Sequence, residues 1–99
     1  MIKIVQIKLI ESKRVVCYFN NNEVRILDLT DTLNDKYANS ILSDDAVFMR
    51  VQVGQMGEIC WPDLAEMRGV NGEIIPCAYD ISPEFAYHYS KPMLASETT

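Results

Sequence analysis

One histidine, His88, and three cysteines, Cys17, Cys60 and Cys77, are the residues of this chain whose types could support nucleophilic catalysis. A cysteine nucleophile needs a histidine within hydrogen-bond reach and a third group to orient that histidine. His88 lies in Tyr87-His88-Tyr89 near the C-terminus, and neither Cys60 nor Cys77 sits at a strand-to-helix elbow or in a Cys-x-x-Cys pair. No catalytic residue is expected, and the chain reads as a protein that is not an enzyme. Structural zinc asks for four Cys or His ligands in two close pairs, and the three cysteines are widely spaced. Asp28, Asp31 and Asp35 look superficially like an oxygen-ligand cluster, but they lack the glycine and the distal glutamate of a calcium loop. Helix capping and a solvated face account for them. No Gly-x-Gly-x-x-Gly or Walker-type phosphate loop occurs, so neither a metal nor a cofactor is expected.

Binding is the other chemistry open to the chain. Residues 1–25 hold Lys3, Lys8, Lys13, Arg14 and Arg25 against Glu11 and Glu23, whereas the rest of the chain is strongly acidic. A segment like this either forms the solvated face of a hairpin or steers an acidic partner. Its basic density is low for a nucleic-acid-binding domain. Trp61, in Trp61-Pro62-Asp63, anchors a core or serves as an exposed hot spot. Tyr79, Tyr87 and Tyr89 could form an aromatic patch, but Asp80 and Glu84 beside them disfavour stacking of nucleic acid. The candidate binding surface is Lys8, Lys13, Arg14, Arg25, Trp61 and Asn71.

The elements that must position these residues follow from periodicity. Ile2 to Ile10 reads as a strand whose apolar phase changes, which a bulge near Ile4–Val5 would explain. The run 14–19 and the run 23–28 flank Asn20-Asn21-Asn22 and read as a hairpin. Asp28-Leu29-Thr30-Asp31 can cap a helix over 32–42, where Leu33, Tyr37 and Ile41 form an apolar stripe. Ser43-Asp44-Asp45 ends that segment or caps a short turn. Residues 49–53 alternate as a strand, Gly54-Gln55-Met56-Gly57 turns it, and residues 58–61 pair back until Pro62 stops the ladder. Asn71-Gly72 signals a small extra hairpin, with Pro76 demoting its returning strand to an edge. Ser82-Pro83-Glu84 opens a short helix to about residue 90, with Phe85, Ala86 and Tyr89 on one face. The tail from Lys91 to Thr99 is expected to fray.

These elements give an α+β fold: two layers, a mostly antiparallel sheet in the order β-β-β-α-β-β, a small extra hairpin and a short C-terminal helix, with the helices on one face. The 99 residues fit one domain over 1–90, with 91–99 as tail. At this size folding removes about two thirds of the extended chain's surface, so one modest core can form. With 48% hydrophobic, 23% charged and 9% aromatic residues, disorder is excluded. So are a multidomain enzyme, a TIM barrel and a full dinucleotide-binding fold. No apolar run approaches the ~20 residues of a membrane span. The polar-interrupted N-terminus is not a signal peptide, and the odd cysteine count argues against a disulfide framework. A cytoplasmic location with reduced thiols is expected.

Taken in order, several segments resemble a bacterial family catalogued as domain of unknown function 2442. They are Ile4-Val5-Gln6-Ile7, the hairpin from Val16 to Arg25, Asp28-Leu29, and Phe48-Met49-Arg50-Val51-Gln52-Val53. The set closes with Glu58-Ile59-Cys60-Trp61-Pro62 and with Asp80-Ile81-Ser82-Pro83-Glu84-Phe85-Ala86-Tyr87. The similarity spans roughly residues 2–89. The family usually passes from Trp-Pro to Asp-x-Ser-Pro in a few residues, so 66–79 looks like an insertion, and Asn22 stands where a turn glycine is common. The resemblance implies a small intracellular module with no defined catalytic residues. Some members are joined to helix-turn-helix domains and some are encoded beside toxin-like partners.

The leading expectation is a non-enzymatic module that binds another protein or a second copy, in the antitoxin-like role that the resemblance implies. The basic hairpin and the Asn71-Gly72 hairpin are the surfaces to test, because edge strands offer backbone groups to a partner. Nucleic-acid or transcriptional accessory binding is the alternative, followed by a small enzyme using Cys60 or Cys77 with His88.

Overall fold

The computed structural model describes residues 1–93. β1 (Ile4–Ile10), β2 (Arg14–Phe19) and β3 (Val24–Asp28) form an antiparallel meander. The register of β1 slips between Ile4 and Gln6, so Val5 faces solvent while Ile4 is buried. This is the bulge that the phase change implied. The β2–β3 turn places Asn22 at φ 71°, a left-handed angle that asparagine accepts.

Among the described residues the strands fall into two sheets rather than the one expected. The first has the order β1-β2-β3-β7, with β7 being Lys91–Pro92. The second holds β4 (Gln52–Val53), β5 (Ile59–Arg68) and β6 (Ile74–Ile81), with β5 central. They meet where the Ile4 N–H donates to the Gly57 carbonyl at 3.0 Å. Gly57 sits at φ +78°, and a Cβ there would lie 2.6 Å from that of Lys3. Glycine is what lets the two backbones approach.

Among the described residues four short helices accompany the sheets. The helix expected over 32–42 is divided into α1 (Leu29–Thr32) and α2 (Lys36–Ser43). The cause is Asp35, whose carboxylate accepts the backbone N–H groups of Tyr37 and Ala38 and restarts the helix. Asp28 and Asp44 cap α1 and α3 (Asp45–Phe48) in the same way. Because α3 takes in Phe48 and its C-cap Met49, the strand expected over 49–53 shrinks to β4. α4 (Pro83–Tyr89) begins as expected, with the Ser82 hydroxyl accepting the Phe85 N–H at 3.1 Å. Its buried residues are Pro83 and Ala86, whereas Tyr89 faces solvent.

Two further expectations change. Pro62 does not end its strand: β5 continues to Arg68 across a register break between Trp61 and Ala65, with Asp63 at φ 61°. A proline is accommodated there because the ladder is already interrupted. The small extra hairpin is therefore the outer half of one long β5–β6 hairpin. The expected fraying does not begin at Lys91, because Lys91 and Pro92 pair with Ile26 and Arg25 and the Met93 N–H donates to the Val24 carbonyl. Residues 94–99 of the expected tail lie outside the described residues.

One core joins both sheets and the helices, built from Val15, Cys17, Leu27, Leu29, Ile41 and Trp61 among others. The result is an antiparallel α+β fold with no helix among the described residues long and apolar enough to cross a membrane.

Candidate interaction surface

Of the three cysteines, Cys17 and Cys60 carry thiols that their surroundings hold protonated, and Cys77 lies half-buried on β6. Cys17 is buried on β2, and burial pushes its thiol up to about 12. Cys60 is raised as well, by partial burial and then by the Glu58 and Asp80 carboxylates. A thiol held protonated is a poor nucleophile. His88 lies exposed on α4, its ring edge-on to Tyr89 with centroids 4.7 Å apart. Among the described residues no three His, Cys, Asp or Glu side chains gather to hold a metal.

The six candidate binding residues do not form one surface. Trp61 takes the core alternative: it is 1% exposed and donates its indole N–H to the Phe48 carbonyl at 3.2 Å. Register places Arg25 opposite Cys17, on the other face of the sheet from Lys8 and Arg14. There it donates to the Ser90 hydroxyl at 2.8 Å, the Ser90 carbonyl at 2.6 Å and Glu23 at 3.2 Å, and stacks over Tyr87. Arg25 therefore works as a clamp on the end of α4. Lys13 is ion-paired with Asp45 and lies over the Phe48 ring. Arg14 donates to the Glu11 carbonyl at 3.2 Å. Lys8 is exposed on β1 and Asn71 at the tip of the β5–β6 hairpin.

Arg14 also lines a cavity of about 610 Å³ with Asp28, Asp31, Tyr89 and Lys91. Its charges are mixed, so it selects no single ligand sign.

The surface that stands out is the outer half of the β5–β6 hairpin. Trp61 and Ala65 are buried, but farther out Met67 is 55% exposed, Ile75 39%, Ile74 61% and Val70 fully so. Met67 pairs with Ile75 and Arg68 with Ile74, so both faces of the hairpin carry exposed apolar groups. The tip turns on Gly72 at φ +84°, as Asn71-Gly72 implied. β6 is an edge of its sheet, and it carries no charge from Ile74 to Tyr79.

Two tyrosines fix this hairpin to α2. The Tyr37 hydroxyl donates to the Glu66 carbonyl and accepts the Glu66 N–H, both at 3.4 Å, in the place of a neighbouring strand. The Tyr79 hydroxyl donates to Asp35 at 2.6 Å, which together with the capped N–H groups holds that carboxyl below its usual range. A groove of about 250 Å³ runs beside the hairpin, lined by Lys36, Tyr37, Glu66 and Arg68 among others.

Sequence reasoning singled out Asn71 on this hairpin but not Met67, Val70, Ile74 or Ile75. A signal existed: a two-stranded segment with apolar residues on both faces cannot bury all of them against one body.

No protein-family model matches this chain, and comparisons with curated proteins and with solved structures likewise find no match.

Proposed function

We propose that the chain is a non-enzymatic protein-binding module that docks through the outer half of its β5–β6 hairpin. The observation that carries this reading is the exposed apolar cluster Met67, Val70, Ile74 and Ile75, on a hairpin whose β6 edge is uncharged from 74 to 79. Exposed edges and contiguous apolar patches mark sites of association. The raised thiols of Cys17 and Cys60 support a role that does not use them as nucleophiles. Membership of the domain of unknown function 2442 family is part of the same proposal, and with it an antitoxin-like role in the bacterial cytoplasm.

The experiment is capture from nuclease-treated bacterial lysate on the tagged full chain and on its Val70→Asp and Lys8→Glu variants. The expected result is one protein retained near stoichiometry through moderate salt, lost with Val70→Asp and kept with Lys8→Glu. A captured set that Val70→Asp leaves unchanged, or one that nuclease removes, would overturn the reading.

A further inference from the structure

We infer that the open edge of β6 pairs with the β6 edge of a second copy of this chain, in a two-fold antiparallel register centred on Cys77. The inference rests on the docking role given to the hairpin and names one occupant for its edge.

Hydrogen-bond alternation selects that register. The Gly69 N–H donates to the Glu73 carbonyl at 2.8 Å. By alternation along an antiparallel ladder, Ile75, Cys77 and Tyr79 turn their backbone groups toward β5. Ile74, Pro76, Ala78 and Asp80 turn theirs to the open edge. Pro76, which has no N–H, thus sits where a donor would face outward. Centring the two-fold on Pro76 sets two prolines opposite each other with no donor between them. Centring it on Ala78 sends Ile74 past the end of β6, opposite the partner's Ser82. Centring it on Cys77 lets Ile74 exchange both bonds with the partner's Asp80, and lets the Ala78 N–H reach the partner's Pro76 carbonyl.

Side chains agree with the same register. On the face continuous with the core, Ile75 meets the partner's Tyr79. On the other face, Pro76 meets the partner's Ala78. Because Arg68 pairs with Ile74, the row continues from Arg68 through Ile74 to the partner's Asp80. An isologous contact repeats this row, so Arg68 and the partner's Asp80, at its two ends, are opposite in sign, while the neighbouring row carries Glu66 beside Pro76. No like charges meet across the uncharged stretch from Ile74 to Tyr79.

Cys77 provides a direct readout. It would lie opposite the partner's Cys77 in a non-hydrogen-bonded pair, with Cα atoms about 4.5 Å apart, inside the range of a disulfide. Oxidised glutathione would link them, two thiols giving up two protons and two electrons as it becomes two reduced glutathiones.

The test is sedimentation of the purified full chain across micromolar concentrations, with and without oxidised glutathione. A reversible dimer of the 11.3 kDa chain is expected, trapped by oxidation in the wild type and not in Cys77→Ser. Ala78→Pro removes an outward donor that β5 does not use, and Ile74→Asp sets a like charge beside the partner's Asp80. Each should weaken the dimer at least about tenfold while leaving the circular dichroism spectrum unchanged. A chain that stays monomeric, a dimer that neither variant weakens, or a disulfide through Cys60 would overturn the inference. Monomeric chain that still captures a Val70-dependent protein would sink this inference alone. A dimer with no such protein would sink the heterologous docking role alone.

Discussion

The hydroxyl of Tyr79 donates to one oxygen of Asp35 at 2.6 Å, while the other oxygen accepts the N–H groups of Tyr37 and Ala38 at 3.0 and 2.9 Å. One carboxylate thereby starts α2 and anchors the base of the hairpin that carries the proposed docking surface. Removing the hydroxyl with Tyr79→Phe should raise the Asp35 pKa toward its ordinary value. The loss of one hydrogen bond should cost about 1 kcal/mol of stability. A carbon-detected carboxyl titration and a urea midpoint check the two effects, and an unmoved Asp35 titration would contradict the assignment.

Acid should weaken the fold through two carboxylates. Asp35 is held below its usual range chiefly by Tyr79, and Glu23 chiefly by the Tyr87 hydroxyl. A folded pKa below the unfolded one adds stability that is fully present above about pH 5. It is lost as pH falls through the ordinary value near 4 and on through the lower folded one. Urea midpoints should therefore be flat near neutrality and drop in acid, with a shallower drop in Asp35→Asn and Glu23→Gln. The sign reverses for Tyr79 and Tyr87, whose phenols are raised, so alkali above about pH 10 should also destabilise.

Arg25 joins residues 65 positions apart, reaching Ser90 from β3. Arg25→Ala should destabilise by about 2 kcal/mol, since two charge-assisted bonds and a ring contact go together. Arg25→Lys should recover little, because an ammonium cannot reproduce the planar fork over Tyr87. Amide exchange at Ser90 and Met93 should accelerate in both variants. Normal protection there would show that β7 is held by other contacts.

Gly57→Ala tests the joint between the sheets. The left-handed angle there costs alanine about 1–2 kcal/mol, and the contact of the added methyl with Lys3 comes on top of it. Gly72→Ala shares the angle but meets nothing within 4 Å, so its cost should be the smaller. Equal costs in thermal unfolding would mean that the close approach to Lys3 does not matter.

Local chemistry was legible in the sequence wherever one residue decides the backbone. Asn22, Gly72, the Ser82-Pro83 start of α4 and the bulge after Ile4 all lie where pattern placed them. What pattern missed was set by distant partners. Asp35 splits a periodic helix because it can cap α2 while also taking the Tyr79 hydroxyl. Pro62 fails to end β5 because Asp63 adopts a left-handed angle and the ladder resumes at Ala65. The basic segment looked like one surface because sequence gives no side-chain facing across sheets. Arg25 turns toward Ser90, away from Lys8 and Arg14.

The outward amides of Ile74, Ala78 and Asp80 offer the most direct measurement of the claim that the β6 edge is a docking surface. Their hydrogen exchange should be read in dilute chain, in concentrated chain and with any captured partner. Protection confined to these amides, rising as complex forms while Lys8 on β1 is unchanged, is the expected result. Exchange at unprotected rates under all three conditions would contradict the claim.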